Sequence, residues 1–503
     1  MSTKLTIYFT SDTHGYLYPT DFCSEQPRPM GLLSMSFPKD ENTLVIDGGD
    51  SIQGSPLTYY CYSEGKPLPV APVFNRLGAD YVTLGNHDFN HGPEVLSGYL
   101  NALDAKCLCA NVADAEGRLP VFPSAVHVLG NGLQVGLVGV VTDWVNRWEK
   151  PENMRGLSVT DPLEAARKAV TDLGKVDVLI GIYHGGIERD LATGRLLSET
   201  DENIACRLCE EIPFDLLLTG HQHLALEQGR WKNTVLVQPP ANATHYLRIT
   251  MDENKRFESR LCPVSEEPKY TPAESDLFSE LNRWLDLPVG HLSRPLKPGE
   301  HLEMAERGSD IADFFNLVQL SVSGADISCS ALANTVRGFQ PDVTVRDAVA
   351  SYIFSNTLAV LEVTGDILRQ GLEQCASYFQ VEEDGTIRVS DPFLLPKEAH
   401  YNYDYFAGIR YTFDLRRPMG SRVTALTRGG RPIGPEDRMT LVMNDYRAAG
   451  SGDFDFYRGC RRVREIQTEM SELILDYLRS HPRIDLPRKH PITVILPDGT
   501  VRD

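Results

Sequence analysis

The first half of the chain alternates short apolar runs with helical patterns, and this alternation most restricts the possible folds. The runs are rich in Val, Ile, Leu and Thr and bounded by Gly, Asp or Asn, as expected of strands buried on both faces. In "DPLEAARKAVTDLG", Asp161 is the predicted N-cap, Pro162 the first helical residue and Gly174 the residue past the end. Alternating strands and helices indicate an α/β domain with mainly parallel pairing. The runs are "LTIYFTSD", "TLVIDGGD", "YVTLGNHD", "LQVGLVGVV", "VDVLIGIYHGG", "FDLLLTGHQH" and "TVLVQPP".

The chain is long enough to require more than one domain, because 503 residues exceed the size of a single hydrophobic core. The composition changes near residue 262, where the Pro- and Glu-rich segment "CPVSEEPKYTPAES" is typical of a linker. We predict an α/β domain over 1–262, a linker and connecting helix over 263–290, and a C-terminal domain over 291–503. Mixed helical and β patterns in the last segment indicate a smaller α+β domain.

The charge balance restricts the partners. The formal net charge is −20, from 69 acidic and 49 basic residues, which argues against a nucleic-acid polymer because phosphate-backbone binding needs a basic surface. Small anionic substrates remain compatible, since a bound metal ion inverts the local field. The sequence does not predict an oligomeric state.

The N-terminal sequence and the cysteine usage both favour a cytoplasmic protein. The N-terminal "MSTKLTIYFTSD" has no basic n-region and h-region, and no window approaches the ~18 apolar residues of a membrane span. Ten cysteines without dense regular spacing are typical of reduced thiols. The lone C-x-x-C pair, Cys206 and Cys209, is interpreted as buried small side chains, with a zinc or redox site as the alternative.

Polar side chains of one kind follow five of the predicted strands. Because the carboxyl ends of neighbouring parallel strands meet at one crevice, these side chains are expected to converge there. Imidazole and carboxylate ligands together suit Zn, Mn, Fe, Co or Ni better than Ca or Mg. Their number exceeds what one ion needs and suits two ions about 3.5–4 Å apart, the arrangement used for phosphoryl transfer. The residues are Asp12, His14, Asp50, Asn86, His184, His221 and His223.

Five motifs resemble the ordered signature of the calcineurin-like metallophosphoesterases, and the two-domain length resembles their 5′-nucleotidase branch. The resemblance covers essentially the whole chain and implies a four-layer αββα catalytic domain followed by a C-terminal nucleotide-binding domain. It also implies that Asp12, His14, Asp50 and His223 hold one metal. Asp50, Asn86, His184 and His221 would hold the other, so that Asp50 bridges. The family usually has Gln at the position of His223. The motifs are "SDTHG" (11–15), "GGD" (48–50), "GNHDF" (85–89), "YHGG" (183–186) and "GHQH" (220–223).

The resemblance assigns His87 to the substrate side of this centre, where it stabilises phosphoryl charge or protonates the leaving oxygen. Imidazole suits this task because it exchanges protons near neutral pH. The 5′-nucleotidases usually place an Asp three residues after this His to orient it, but here that residue is Asn90. The sequence "NHDFN" resembles instead the 2′,3′-cyclic-nucleotide 2′-phosphodiesterase/3′-nucleotidase subgroup. A simple turn role for Asn90 is the alternative.

The C-terminal segments "SNTLAVLEVTGDIL" (355–368) and "MNDYRAAGSGDFDFY" (443–457) resemble the nucleotide-binding domain of the same subgroup. The resemblance implies that Phe354 and Tyr446 sandwich the base, a stacking interaction worth ~1–3 kcal/mol per base. Arg337, Arg410 and Arg447 are candidates for phosphate or ribose contacts. For each of these residues a core or surface role is the alternative.

The predicted activity is metal-assisted hydrolysis of nucleotide phosphoesters, in which a hydroxide held between two metals attacks phosphorus in line. The favoured substrates are 2′,3′-cyclic nucleotides and 3′-nucleotides. The alternatives are a 5′-nucleotidase or UDP-sugar hydrolase on the same scaffold and, more remotely, a non-catalytic nucleotide sensor. A nuclease or protein phosphatase is disfavoured by the acidic charge.

Overall fold

The computed structural model of the protein describes residues 3–23, 26–197, 201–264, 267, 270–352, 354, 356–394, 398–481 and 483–502. The chain divides into two compact units, Met1–Leu281 and Asn282–Asp503. Part of the predicted linker, residues 265–266 and 268–269, lies outside the described residues. Each unit is described by itself below.

The first unit is an α/β domain, as the alternating apolar runs predict, and it contains two large sheets. Its strands are β1 (Thr3–Thr10), β2 (Thr43–Asp47), β3 (Tyr81–Val82), β4 (Lys106–Leu108), β5 (Val112–Asp114), β6 (Val121–Phe122), β7 (Ser124–Val128), β8 (Gln134–Val141), β9 (Leu157–Val159), β10 (Val178–His184), β11 (Leu216–Thr219), β12 (Leu226–Trp231), β13 (Thr234–Gln238), β14 (His245–Asp252) and β15 (Phe257–Pro263). Its helices are α1 (Pro56–Ser63), α2 (Val70–Leu77), α3 (Gly92–Ala102), α4 (Val145–Trp148), α5 (Pro162–Leu173), α6 (Ala205–Glu211) and α7 (Pro272–Leu285), the last of which ends in the second unit.

Both sheets are mainly parallel, with antiparallel strands at one edge of the first sheet and at both edges of the second. Among the described residues, the first sheet has seven strands in the order β15-β14-β1-β2-β3-β4-β6, and those from β1 to β6 are parallel. The second has six in the order β12-β13-β11-β10-β8-β7, with β13, β11, β10 and β8 parallel. The register pairs Thr10 with Asp47 and Asp47 with Val82, so the first three strands end at the same edge.

The main core of this unit lies between the two sheets. Ile7 and Leu44 of the first sheet share one buried cluster with Leu137, Ile180 and Leu218 of the second. The opposite face of the second sheet packs on α5 and α6, and α1, α2 and α3 connect the parallel strands of the first. This is the predicted four-layer αββα arrangement, and the fold class is confirmed.

The residues predicted to begin and end α5 lie at its ends. The Asp161 side chain accepts a hydrogen bond from the Glu164 N–H, Pro162 occupies the first turn, and Gly174 follows the helix with φ of 77°. In α6, Cys206 and Cys209 are buried in the cluster between this helix and the second sheet. Burial raises the pKa of both thiols, so they behave as small apolar side chains.

The second unit is a smaller α+β assembly. Its strands are β16 (Pro288–His291), β17 (Ile327–Ala331), β18 (Asp342–Thr344), β19 (Leu358–Thr364), β20 (Phe379–Val381), β21 (Ile387–Val389), β22 (Asp404–Ala407), β23 (Arg410–Asp414), β24 (Val423–Arg428), β25 (Arg431–Pro432), β26 (Arg438–Asn444), β27 (Arg461–Ile466), β28 (Ile492–Ile495) and β29 (Val501–Arg502). Its helices are α8 (His301–Arg307), α9 (Asp310–Ser323), α10 (Val345–Ser351), α11 (Gly365–Ala376), α12 (Asp445–Ala448) and α13 (Met470–Ser480).

Within the described part of this unit there are two five-stranded sheets, β22-β17-β26-β19-β27 and β25-β24-β23-β28-β29. In the first of them β17 and β26 run parallel, whereas β19 and β22 run in the opposite direction. The carboxyl ends of β17 and β26 therefore lie at the same edge as the starts of β19 and β22. Across the residues described in both units, no helix is long and apolar enough to cross a bilayer.

Candidate metal centre and active site

All the predicted metal ligands lie beyond the carboxyl ends of strands in the first unit and converge on one buried centre. Asp12 and His14 follow β1, Asp50 follows β2, Asn86 follows β3, His184 ends β10, and His221 and His223 follow β11. The two sheets meet here, because the His221 N–H donates to Asp12 Oδ1 (2.9 Å). The Asp12, Asp50 and His184 side chains are at most 1% exposed. The site residues predicted as ligands are thus brought together.

The backbone at these positions is unusual. Several of the predicted ligands have positive φ, a conformation that costs an L residue energy and clusters at functional sites. Gly49, just before Asp50, also has φ of 91°, and a Cβ there would lie 2.3 Å from the Gly85 nitrogen. The loops that follow β2 and β3 therefore lie too close to each other to admit a side chain at residue 49. The ligands with positive φ are Asp12, His14, Asp50, His221 and His223.

Potential ligand atoms form two groups that share Asp12. In one group, the ligand atoms of Asp12, His14 and His223 lie within 4.8 Å of one another, and in the other those of Asp12, Asp50 and His184 do so. His223 Nε2 lies 3.5 Å from Asp12 Oδ1, and His184 Nε2 lies 3.1 Å from Asp50 Oδ2. Two adjacent groups match the expectation of two ions. The assignment of Asp50 as the bridge stays a prediction.

Three histidines of this centre are oriented by a hydrogen bond from the ring nitrogen that points away from it. His14 Nδ1 lies 2.9 Å from the Gln53 carbonyl oxygen and His184 Nδ1 lies 2.6 Å from that of Gly48. Since a carbonyl only accepts, each Nδ1–H must donate, and Nε2 is left to face the centre. His221 Nε2 similarly lies 3.0 Å from Glu202 Oε1, which leaves Nδ1 facing Asn86 Oδ1 at 2.8 Å. Metal-binding histidines are held in this way.

The electrostatics of the centre favour a cation. Burial alone raises the pKa of Asp12, but His184 and His223 lower it to about 2, so this carboxylate is charged. Burial lowers the pKa of His184, but Asp50 and Asp12 outweigh that effect and raise it to about 10. Burial and repulsion from His223 lower the pKa of His14 to about 4, so His14 is a neutral donor. The two buried carboxylates therefore attract positive charge strongly, either a proton on His184 or a bound cation.

Two buried atoms support metal binding directly. Asp50 Oδ2 and His184 Nε2 are buried 3.1 Å apart, and neither makes a hydrogen bond of suitable geometry with a described residue. Such orphaned atoms are costly unless something binds them. A carboxylate, imidazole and amide donor set suits divalent transition ions, so the residues present fit a pair of them.

His87 lies beside the metal ligands, as predicted. Its backbone N–H donates to Asp50 Oδ1 (2.7 Å), and its ring centroid lies 5.5 Å from that of His14. His87 Nδ1 lies 2.8 Å from Asn90 Oδ1, so Asn90 contacts the imidazole directly and is more than a turn residue. The neighbouring Asp88 carboxylate accepts the N–H groups of Asp50 and Gly85 and holds the two loops together.

In the second unit, three aromatic rings form a group at the edge of the sheet where β22 begins and β26 ends. Phe354 contacts Tyr401 edge-on at a centroid distance of 6.0 Å, and Tyr401 contacts Tyr446 at 6.5 Å. Tyr446 is 41% exposed. The structure thus places the two predicted base-stacking residues around Tyr401. We refer to Phe354, Tyr401 and Tyr446 as the aromatic trio.

Comparison with known proteins identifies the family. The model for calcineurin-like phosphoesterase matches residues 5–225, and the model for the 5′-nucleotidase C-terminal domain matches residues 288–458. A solved structure from Staphylococcus aureus, provisionally named a 5′-nucleotidase, is 32% identical and covers 97% of this chain and 99% of its own, with a TM-score of 0.73. This chain belongs to the 5′-nucleotidase family of calcineurin-like phosphoesterases. It is therefore a phosphoester hydrolase.

Curated relatives of this 5′-nucleotidase family enzyme are more distant. A 2′,3′-cyclic-nucleotide 2′-phosphodiesterase/3′-nucleotidase from Haemophilus influenzae is 22% identical over 95% of this chain and 84% of its own. The trifunctional nucleotide phosphoesterase YfkN of Bacillus subtilis is 24% identical over 94% of this chain. The chain spans only 38% of that longer protein.

The predicted arginine contacts are not gathered at one place in this 5′-nucleotidase family enzyme. Arg447 is only 2% exposed, and its guanidinium donates to Asp404 Oδ2 (2.7 Å), to Tyr401 O and to Ser451 O. The predicted substrate contact is wrong for this side chain, because a buried ion pair occupies it. Arg410 is exposed at the start of β23, beyond the opposite end of β22 from Tyr401, so that strand separates it from the aromatic trio. Arg337 is exposed in the segment after β17.

Sequence reasoning missed three residues around the metal centre of this 5′-nucleotidase family enzyme. Glu202 accepts from His221, and its own carbonyl oxygen accepts the hydroxyls of Thr142 and Tyr183. The Trp148 ring stacks on His221 with a centroid distance of 5.5 Å. Glu149 contacts Asn90. These residues lie in connections between strands, where no periodic pattern marks them, and only their acidic or aromatic character was visible.

Proposed function

We propose that this enzyme hydrolyses 2′,3′-cyclic nucleotides and 3′-nucleotides with a pair of divalent transition ions, Mn, Zn, Fe, Co or Ni, held by the strand-end ligands. The observation that carries the metal-dependent chemistry is the inward-facing donor set. In His14, His184 and His221, the ring nitrogen that points away from the centre makes a hydrogen bond. The acceptors are Gln53 O, Gly48 O and the Glu202 carboxylate, respectively. Their other nitrogens face His223, Asp50 and Asn86, respectively. Such a set is suited to cations.

Bound ions supply Lewis-acid charge for the phosphoryl oxygens and activate water near neutral pH. The chain's residues position the rest of the reaction. His87 lies beside His14, and its backbone N–H donates a hydrogen bond to the Asp50 carboxylate. From this position the imidazole donates a hydrogen bond to a phosphoryl oxygen or a proton to the leaving oxygen. The low exposure of Asp12 and Asp50 strengthens these interactions by limiting water.

Two observations favour cyclic and 3′-nucleotide substrates. Asn90 occupies the position where 5′-nucleotidases usually have Asp, and it contacts His87 directly. Three curated relatives, from Haemophilus influenzae, Yersinia enterocolitica and Salmonella typhimurium, are named 2′,3′-cyclic-nucleotide 2′-phosphodiesterase/3′-nucleotidase. The second candidate is a 5′-nucleotidase, which the name of the Staphylococcus aureus structure favours.

Initial rates of product formation from 2′,3′-cyclic AMP and of phosphate release from 3′-AMP and 5′-AMP, measured with Mn²⁺, test the proposal. We expect kcat/KM for the first two substrates to exceed that for 5′-AMP at least about tenfold, since a site built for one phosphate position leaves polar groups unpaired with another. The Asp50→Asn variant, prepared in parallel, controls for contaminating phosphatases. Preference for 5′-AMP would reject the substrate assignment. Metal-loaded protein that turns over none of them would favour the nucleotide sensor.

Base stacking by the aromatic trio gives a separate prediction. We expect Tyr446→Ala to raise KM for 3′-AMP about tenfold, because loss of one stacking face costs ~1–3 kcal/mol, and to leave kcat within about twofold. Tyr446→Phe is the matched control, since it keeps the ring and removes only the hydroxyl. Steady-state kinetics of both variants with 3′-AMP give the KM and kcat values that test this prediction. A large fall in kcat for Tyr446→Ala, or an equal effect of both substitutions, would contradict stacking.

A further inference from the structure

A hydrogen-bonded chain leads from His87 through Asn90 to a carboxylate. His87 Nδ1 lies 2.8 Å from Asn90 Oδ1, and Asn90 Nδ2 donates to Glu149 Oε2 at 2.5 Å. Glu149 belongs to the segment after α4, far from Asn90 in the sequence. The amide of Asn90 therefore lies between the imidazole and a carboxylate.

The carboxylate determines which way the Asn90 amide points. An ionised carboxylate only accepts hydrogen bonds, so it must face the amide nitrogen, and the amide oxygen must then face His87. Because that oxygen also only accepts, His87 must donate from Nδ1. His87 Nε2 is consequently the ring nitrogen left available on the other side. Without a fixed acceptor behind it, an asparagine can present either end of its amide.

Glu149 is itself held in place by its neighbours. Its Oε1 accepts from the Lys150 N–H (2.7 Å) and from Asn153 Nδ2 (2.8 Å). The same Asn153 nitrogen also donates to the Asn90 carbonyl oxygen (2.6 Å), which links the two segments. Trp148, one residue before Glu149, stacks on His221. The segment is thus anchored against the centre on both sides of Glu149.

We propose that Glu149 is a positioning residue that, through Asn90, fixes the tautomer and ring orientation of His87. The chain His87–Asn90–Glu149 places a carboxylate one residue further out than a direct His–Asp pair does. Polarisation along the chain strengthens each hydrogen bond and so holds the His87 ring more firmly in one orientation. The inference deepens the proposed function and rests on it for the role of His87 in turnover.

The first test compares Glu149→Gln with Glu152→Gln, which removes the same charge from an exposed glutamate in the same segment. The Lys150 N–H and Asn153 Nδ2 keep an oxygen at the Oε1 position, so the amide introduced by Glu149→Gln turns its nitrogen to Asn90. The Asn90 amide then reverses, and His87 Nδ1 loses the oxygen that accepts its proton. We expect kcat for Glu149→Gln to fall about tenfold, part of the ~10²–10⁴ that acid–base catalysis contributes, with KM within about twofold. Glu152→Gln should match the wild type. Equal kinetics for both variants would overturn the proposal.

The second test is a rescue. In the double variant Asn90→Asp/Glu149→Gln, the carboxylate moves directly next to His87, and the new side-chain amide at position 149 can donate to it. We expect kcat to return to within about threefold of the wild type, which a loss of folding or packing at residue 149 could not produce. A double variant no faster than Glu149→Gln would overturn the proposal.

A third measurement does not depend on turnover. Nitrogen-15 NMR of histidine-labelled, metal-free protein reports whether Nδ1 of His87 carries a proton, with His87→Gln used to assign the signal. We expect an Nδ1–H tautomer in the wild type and in Glu152→Gln, and a shift toward the Nε2–H tautomer in Glu149→Gln. An unchanged tautomer in Glu149→Gln would overturn the proposal. If the nucleotide assays fail while this difference is present, only the proposed function is rejected.

Discussion

Replacement of Asp50 by asparagine is expected to lower kcat by about 10³-fold or more and to reduce the bound metal from two ions to one per chain. Asp50 is 1% exposed, and its Oδ2 is buried beside His184 with no hydrogen-bond partner in the described part of the chain. Asparagine keeps the oxygen that accepts the His87 N–H but removes the charge. Loss of a single preorganised electrostatic group from an active site typically costs about 10²–10³ in rate, and loss of an ion adds to this.

The control for Asp50→Asn is Asp172→Asn, which removes a surface carboxylate of α5 that pairs with Lys168. Elemental analysis gives the metal stoichiometry, and circular dichroism checks that both variants fold. We expect Asp172→Asn to keep two ions and the wild-type kcat. If Asp50→Asn also retained two ions and a kcat within about tenfold of the wild type, Asp50 would not be a metal ligand.

Residues that follow buried strands could be placed from the sequence. Asp12 and His184 lie on different sheets and far apart along the chain, yet both end parallel strands, and such ends meet in an α/β fold. The apolar runs indicated an α/β domain with mainly parallel pairing, because they identify strands covered on both faces, whereas the αββα class was implied by the resemblance to the metallophosphoesterases. Periodicity and strand order carry this information, and neither depends on side-chain orientation.

Residues in connecting segments could not be placed. Glu149 and Glu202 reach the centre from loops, where the backbone path decides direction and no repeat records it. Arg447 illustrates the same limit, since "NDYRAAG" does not reveal that the arginine points inward to Asp404. The segment over 263–290, predicted as a linker and connecting helix, contains α7 and the start of β16 in its second half. The sequence therefore marked both the change of domain and the helix that follows it, but not the strand.

Replacement of Arg447 by methionine is expected to lower the free energy of unfolding by about 3–5 kcal/mol, the cost of leaving a buried charge without its partner. Arg447 and Asp404 are 2% and 3% exposed. The guanidinium also packs 3.9 Å from the centroid of the Phe454 ring. Methionine preserves much of the apolar stem, so the loss reports mainly on the charge. Urea denaturation followed by circular dichroism measures it.

Two variants serve as controls for Arg447→Met. Arg410→Met removes an exposed arginine of β23 and should change the free energy of unfolding by no more than about 0.5 kcal/mol. Arg447→Met/Asp404→Asn removes both charges and should recover part of the loss, since the buried, unpaired carboxylate is then gone. A double variant less stable than Arg447→Met would show that the ion pair is not the source of the effect.

The pH dependence of Arg447→Met gives a further readout with a definite sign. Burial raises the pKa of Asp404 even though Arg447 lowers it, so removal of Arg447 should raise this pKa further. The native variant then binds a proton more tightly than the unfolded chain, whose Asp titrates near about 3.9. Its free energy of unfolding consequently falls as pH rises between the unfolded and folded pKa values, by at most about 1.4 kcal/mol per pH unit. We expect the deficit relative to the wild type to be larger at pH 8 than at pH 5, and a deficit that does not change with pH would contradict an unpaired Asp404.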